Sequence, residues 1–383
     1  MKILSVDIGT GTQDIFLYDS RLNPENGFKL VLPSPTMLVY RRIKGMLASR
    51  TPLLLTGHQM GGGPSAWAIE EYARAGIPVY MTPSAARTIN DELDKVQALG
   101  IRIVSEGEIR HLSGVTGMEL KDFDFRMIFR TFNDYGVSLE DLGAVAVAVF
   151  DHGYAPAGTS DRKFRFDYLA QRIKARNSLS AFAYPSNDIP GIMTRLRAVA
   201  DSADGLSCPL MVMDTAPAAI LGANLDPRVA SHKRKIICNV GNFHTLAFRL
   251  GESGIEGIFE HHTGELDLPK LIRLLHALAD GSLKNEDVYN DMGHGALVVS
   301  GDAFEFGQDE FDVVVTGPRR RLFDASHADG LRPYFAAPFG DMMLAGCFGL
   351  LAATADVIPD LAETISGSLR GGRGRGVAPW EAE

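Results

Sequence analysis

The chain has 383 residues, 45% of them hydrophobic and 22% charged, and a formal net charge of −9. This length and balance suit a globular protein of two ordinary domains, and the negative charge offers no general attraction for nucleic acid. Only three cysteines occur, Cys208, Cys238 and Cys347, far apart and without a CxxC pair, which argues against a disulfide scaffold, a structural zinc site or an iron–sulfur cluster held by this chain alone.

Residues 2–8 (KILSVDI) read as a buried strand and 13–19 (QDIFLYD) as its antiparallel partner. The small residues Gly9-Thr10-Gly11-Thr12 between them are hairpin material. A third strand is expected at 28–32 (FKLVL), and from there strand and helix alternate. The strand PLLLTG (52–57) leads through HQMGGGPS into the helix AWAIEEYARAG. IPVYMT is again strand-like, ARTINDELDKVQALG reads as one helix ending at Gly100, and IRIV (101–104) as a strand. Such alternation favours an α/β sheet covered by helices.

Residues 139–150 end in an apolar strand that breaks at Asp151-His152-Gly153, and 163–205 reads as mostly helical. PLMVMD (209–214) is a strand passing into the small-residue helix TAPAAILGA. KRKIICNVGNFHTLAFRL (233–250) then repeats the opening layout of strand, small or polar turn, and strand. LDLPKLIRLLHALADGSL is a helix, FDVVVTGPRR a strand into a turn, and GDMMLAGCFGLLAATADV a small-residue helix. From Ser366 the chain, with its RGGRGRG run, reads as an unfolded tail. No apolar run approaches the roughly 20 residues of a membrane span and no signal-like segment opens the chain, so a cytoplasmic location is the expectation.

The ordered segments DIGTGTQD (7–14), DTAPAAILGAN (214–224), CNVGNFHT (238–245), VVVTGPRR (313–320) and GDMMLAGCFGLLAA (340–353) resemble the actin-like ATPase superfamily of sugar kinases, heat-shock chaperones and activator ATPases. The resemblance implies a two-domain actin-like (ribonuclease H-like) α/β fold with duplicated strand-hairpin and helix cores. It implies an N-terminal half at 1–232, a C-terminal half at 233–365 whose last helix returns to the first half, and a tail at 366–383. At closer range TGHQMGGGP, DTAPAAILGA and APFGDMMLAGCFGLL resemble a prokaryotic family of unknown function labelled "pyruvate formate-lyase activating enzyme-like". The CxxxCxxC motif of radical activating enzymes is absent, so the radical enzyme itself is excluded.

A tight turn with little side-chain bulk lets backbone N–H groups point at phosphate oxygens. Gly9 and Gly11 permit that approach, and Thr10 and Thr12 add hydroxyls. Asp7 cannot bind phosphate directly and suits water-mediated anchoring of Mg²⁺, with Gln13 and Asp14 beside it. The alternative is an ordinary glycine hairpin. In the second turn, Gly241, Asn242 and Thr245 are the phosphate candidates, although Asn239 stands where the superfamily commonly has an acid, and Phe243 and His244 are bulky. Asp214 reads either as a base near the terminal phosphate or as a helix N-cap. The resemblance puts Gly317 near the adenosine; Arg319 either binds there or is a solvated charge.

For the substrate side, His58, Gln59, Gly61 and Gly62 follow one strand, and Asp151 and His152 end another. His58 and His152 are expected to converge. His261 and His262 are adjacent on a strand and so point to opposite faces, which counts against a metal site built from them with His294. The expected ligands are thus ATP and Mg²⁺, with a small-molecule substrate or a partner enzyme and a homodimer left open. Three functions follow: an ATP-dependent small-molecule kinase, an accessory ATPase that activates a radical or corrinoid enzyme, or a nucleotide-binding protein without catalysis.

Overall fold

The computed structural model describes residues 1–323, 330–369 and 377–381. In chain order, β1 (Lys2–Ile8), β2 (Thr12–Asp19) and β3 (Phe28–Pro33) form an antiparallel meander. Next come β4 (Leu53–Gly57), β5 (Val79–Met81), β6 (Arg102–Ile103) and β7 (Thr116–Leu120), followed by β8 (Leu142–Val149), β9 (Ala183–Pro185) and β10 (Leu210–Asp214). The second half holds β11 (Lys235–Val240), β12 (His244–Gly251), β13 (Gly254–His262), β14 (Gly295–Val298), β15 (Val313–Thr316) and β16 (Pro333–Phe335).

The strands build two large sheets of the same design. The first runs β3-β2-β1-β8-β10-β9 and the second β14-β13-β12-β11-β15-β16. In each, a hairpin-linked meander is extended on its first strand by parallel strands: β8 on β1 and β10 on β8, then β15 on β11 and β16 on β15. That duplicated order is the two-domain actin-like (ribonuclease H-like) α/β architecture. Burial explains why these segments pair so. Ile3, Leu4 and Val6 of β1 and every residue from Ala144 to Val149 of β8 are fully buried, as strands covered on both faces must be.

The strand–helix alternation after β3 does not extend the first sheet. It forms a separate four-stranded parallel sheet, β6-β5-β4-β7, with its own core around Leu53, Leu55, Ile69, Tyr72 and Val79. The single helix expected up to Gly100 is broken into Pro83–Ala86 and Leu93–Ala98. Between them Asn90 Oδ1 accepts from the Glu92 N–H at 2.9 Å, a local turn that competes with helical bonding.

Two helices cross between the sheets: Thr215–Ala223, which follows β10, and Ala345–Val357. A Cβ on Gly222 would collide with the Ala345 carbonyl, and one on Gly349 with the Ala218 carbonyl, so the backbones touch. Helix Ala345–Val357 packs Cys347, Phe348 and Leu351 against Ile3, Phe16 and Tyr18 of the first sheet. The tail begins later than Ser366, because helix Pro359–Leu369 continues through it with Ile365 and Leu369 buried. The RGGRGRG run lies outside the described residues. Among the described residues no helix is long and apolar enough to cross a membrane.

Candidate functional site

The turns of the two corresponding hairpins face each other. In each, the first glycine N–H closes the turn, Gly9 to the Thr12 carbonyl at 2.9 Å and Gly241 to the His244 carbonyl at 3.0 Å. They approach so closely that a Cβ on Gly11 would lie 2.7 Å from Asn242 Nδ2. Ser34 Oγ donates to the Thr10 carbonyl at 2.6 Å and fixes the first turn from behind. Among the described residues, the N–H groups of Thr10, Gly11, Asn242 and Phe243 donate to no other backbone group. Both turns open on a cleft of about 760 Å³. Two turns with unspent donors are the arrangement that binds an anion.

Behind the first turn stand two carboxylates. Asp7 on β1 lies opposite Asp14 on β2, and both line the cleft. Thr215 Oγ1 donates to Asp7 Oδ1 at 2.6 Å, while buried Asp14 Oδ1 has no partner. Desolvation raises Asp7 to a pKa of about 6, with Asp214 adding to the effect against the Thr215 hydrogen bond. Desolvation and then the Asp7 charge raise Asp14 to about 8. Two desolvated carboxylates, one with an orphaned oxygen, lack a counter-charge. Hard oxygen donors of this kind suit Mg²⁺, so Asp7 and Asp14 fit the ion expected here.

Deeper in the cleft lies a cluster of histidines from separate segments. His152 follows β8, His244 opens β12, His262 closes β13 and His294 precedes β14. His152 Nε2 is 3.0 Å from His294 Nε2, and the His262 ring centroid is 4.7 Å from that of His294. Phe150 stacks on His244 at 4.3 Å. Desolvation lowers His152 to a pKa of about 3, and it drives His244 and His294 down as well, so the rings are neutral. Buried Arg165 backs the cluster. Its Nη1 donates to Asp214 Oδ2 at 2.6 Å and its Nε to Glu260 Oε2 at 2.9 Å.

Residues 60–322 match the family described as "Putative pyruvate format-lyase activating enzyme (DUF1786)". The chain belongs to this family. Comparison with curated proteins finds no match. Several solved structures are similar in fold. The activator of 2-hydroxyisocaproyl-CoA dehydratase from Clostridium difficile, with bound ADPNP, is 10% identical over 95% of this chain and 98% of that one, with a TM-score of 0.35. The ethanolamine utilization protein EutJ from Carboxydothermus hydrogenoformans is 11% identical over 91% and 89%, with a TM-score of 0.30. The ROK hexokinase from Thermus thermophilus is 13% identical over 95% and 100%, with a TM-score of 0.30. The actin-like assignment itself rests on the duplicated strand order.

In this DUF1786 member the cleft gathers Gly9, Thr10, Gly11, Thr12, Gly241, Asn242 and Gly317, together with Gln59, Gly61, Gly62 and His152. Other expected residues stand elsewhere. Gln13 is buried with Nε2 bonded to the Pro33 carbonyl, because alternation on β2 turns it away from Asp14. Thr245 is buried and pairs its hydroxyl with Thr263 at 3.0 Å. Neither Arg319 nor His58 lines the cleft, and Arg319 faces a separate small hollow beside Leu322. His58 therefore does not converge with His152.

Two expected acids are already engaged. Asp214 caps its helix through the Ala216 N–H at 2.9 Å and pairs with Arg165, which leaves no free base. Asp151 accepts from the N–H groups of Gly153, Arg195 and Leu196, so its carboxylate holds backbone rather than substrate. Sequence reasoning missed Thr215, Arg165 and the meeting of the histidines. It correctly separated His261, which turns to Asp291 at 3.2 Å, from His262, but His294 and His262 join other histidines instead. Thr316 Oγ1, buried and unpartnered, also lines the cleft.

Proposed function

We propose that the cleft binds ATP with Mg²⁺ and that the protein is an ATP-dependent phosphotransferase acting on a small molecule. One observation carries this reading: two opposed turns with unspent N–H donors stand directly in front of the uncompensated pair Asp7 and Asp14. The Thr10, Gly11, Asn242 and Phe243 amides would cradle phosphate oxygens. Asp7 and Asp14 would hold Mg²⁺, and the ion would neutralise charge on those oxygens. Thr215 keeps Asp7 oriented, and the Thr316 hydroxyl is a donor still to be used by the nucleotide. Phosphoryl transfer passes through a loose transition state, so positioning outweighs a strong base. With Asp151 and Asp214 engaged, the acceptor would lie against Gln59, Gly61, Gly62 and His152. The test is ATP turnover measured against a panel of hydroxyl- and carboxyl-bearing metabolites. Slow Mg²⁺-dependent turnover stimulated by one acceptor is expected; turnover indifferent to every acceptor rejects the transferase reading.

A second reading, an accessory ATPase that activates a partner enzyme, is favoured by the family's description and by one contact. Trp67, 55% exposed on the small sheet's helix, packs at a tilt against Phe243 of the second turn, with ring centroids 5.7 Å apart. Occupancy of that turn would thereby reach an exposed aromatic surface. The three cysteines, Cys208, Cys238 and Cys347, are far apart in sequence and form no CxxxCxxC, so this sequence does not supply a radical enzyme's cluster motif. Here the expected result is a copurifying partner that stimulates ATP hydrolysis.

A further inference from the structure

The histidine cluster has the composition of a metal site. One ring nitrogen from each of His152, His244 and His294 lies within 4.8 Å of the other two. They come from three segments that meet only in the folded cleft, and the stack of Phe150 on His244 holds one ring in place. We propose that His152, His244 and His294 bind a divalent transition-metal ion, Zn²⁺ by their chemistry, with a fourth position open to the cleft for an oxyanion.

Three imidazoles with an open position are the donor set of a catalytic rather than a structural zinc site. Around the cluster, buried Arg165 is shared by Asp214 and Glu260, and Arg195, with its side chain 16% exposed, pairs with buried Asp122.

The outer groups are those a ligating histidine needs. Glu260 Oε1 lies 3.2 Å from His294 Nδ1, yet both atoms are buried without a hydrogen bond because they are off line. A small turn of the ring places Nδ1–H on Glu260 and directs Nε2 at the metal, the usual carboxylate–histidine–metal relay. Arg165 fixes the far oxygen of Glu260 at 2.9 Å. The half-buried His262 lines the cleft next to the cluster, where it faces whatever fills the fourth position. The site is separate in kind from Asp7 and Asp14, since imidazole selects zinc-like ions and paired carboxylates select Mg²⁺.

The test is calorimetric titration of the chelator-stripped full-length protein with Zn²⁺, paralleled by Co²⁺ with visible absorption. One ion per chain is expected, with the intense bands of four-coordinate Co²⁺. His244→Asn and His294→Gln should each weaken uptake by about 100-fold or more, and Glu260→Gln by about 10-fold. The double variant Asp7→Asn/Asp14→Asn should keep the same zinc stoichiometry. Absence of saturable uptake by the wild-type protein overturns the proposal whatever the variants do, as does uptake that survives both histidine substitutions. ATP binding assayed on the same samples keeps failure here distinct from failure of the nucleotide reading.

Discussion

Asp7 and Asp14 face each other across the first hairpin, and the Asp7 charge makes the buried Asp14 harder still to ionise. Their folded pKa values, about 6 and about 8, lie above those of an unfolded aspartate. The folded state therefore holds protons that the unfolded state releases. The resulting stability is complete below about pH 4 and is lost as pH rises through 6 and then 8. Thermal melts of metal-free protein between pH 5 and 8.5 should show Asp14→Asn gaining on the wild type as pH rises, and Mg²⁺ with ATP should narrow the gap. A constant difference across that range contradicts the assignment.

Arg165 joins two buried carboxylates, Asp214 and Glu260, with its own side chain buried. Replacing it by methionine strands both acids. Arg165→Met should cost about 3–5 kcal/mol in urea unfolding. Asp214→Asn keeps the oxygen that caps Ala216, and should lower stability while leaving ATP turnover unchanged. A selective loss of turnover would restore Asp214 to a catalytic role.

Gly222 and Gly349 let two helices touch between the sheets, where any Cβ meets a carbonyl. Gly222→Ala should destabilise by about 1–3 kcal/mol through overpacking. Gly45→Ala is the control: it sits in helix Pro35–Met46 with nothing near its Cβ and should stabilise by about 0.4–1 kcal/mol. Equal effects at the two positions would remove the packing argument.

Trp67 packs at a tilt against Phe243, which lines the cleft, and the only other tryptophan is the exposed Trp380. In a Trp380→Phe background, Mg²⁺ with ATP should change Trp67 emission. Phe243→Leu should abolish that change while Trp67 remains fluorescent.

Much of the fold was legible because its signals are local. KILSVDI and QDIFLYD alternate or bury their apolar residues around a small-residue turn, and CNVGNFHT repeats the arrangement. The separate small sheet was not legible, because a short parallel strand does not declare which sheet it joins, and TGMEL at β7 carries little apolar pattern. At the site, Asp7, Asp14 and the first turn were readable from one hairpin. Asp151 and Asp214 were not decided by the sequence, because an acid at a strand end looks alike whether it caps a helix or serves catalysis. The histidines were hidden by distance along the chain, since their meeting depends on how the two sheets close.

Calorimetric titration of ATP into the full-length protein, with and without Mg²⁺, tests the central claim most directly. The account predicts one Mg²⁺-dependent site per chain, weakened at least about tenfold by Asp7→Asn or Asp14→Asn. Absence of binding by the wild-type protein, or binding of equal strength in both variants and without Mg²⁺, would contradict it.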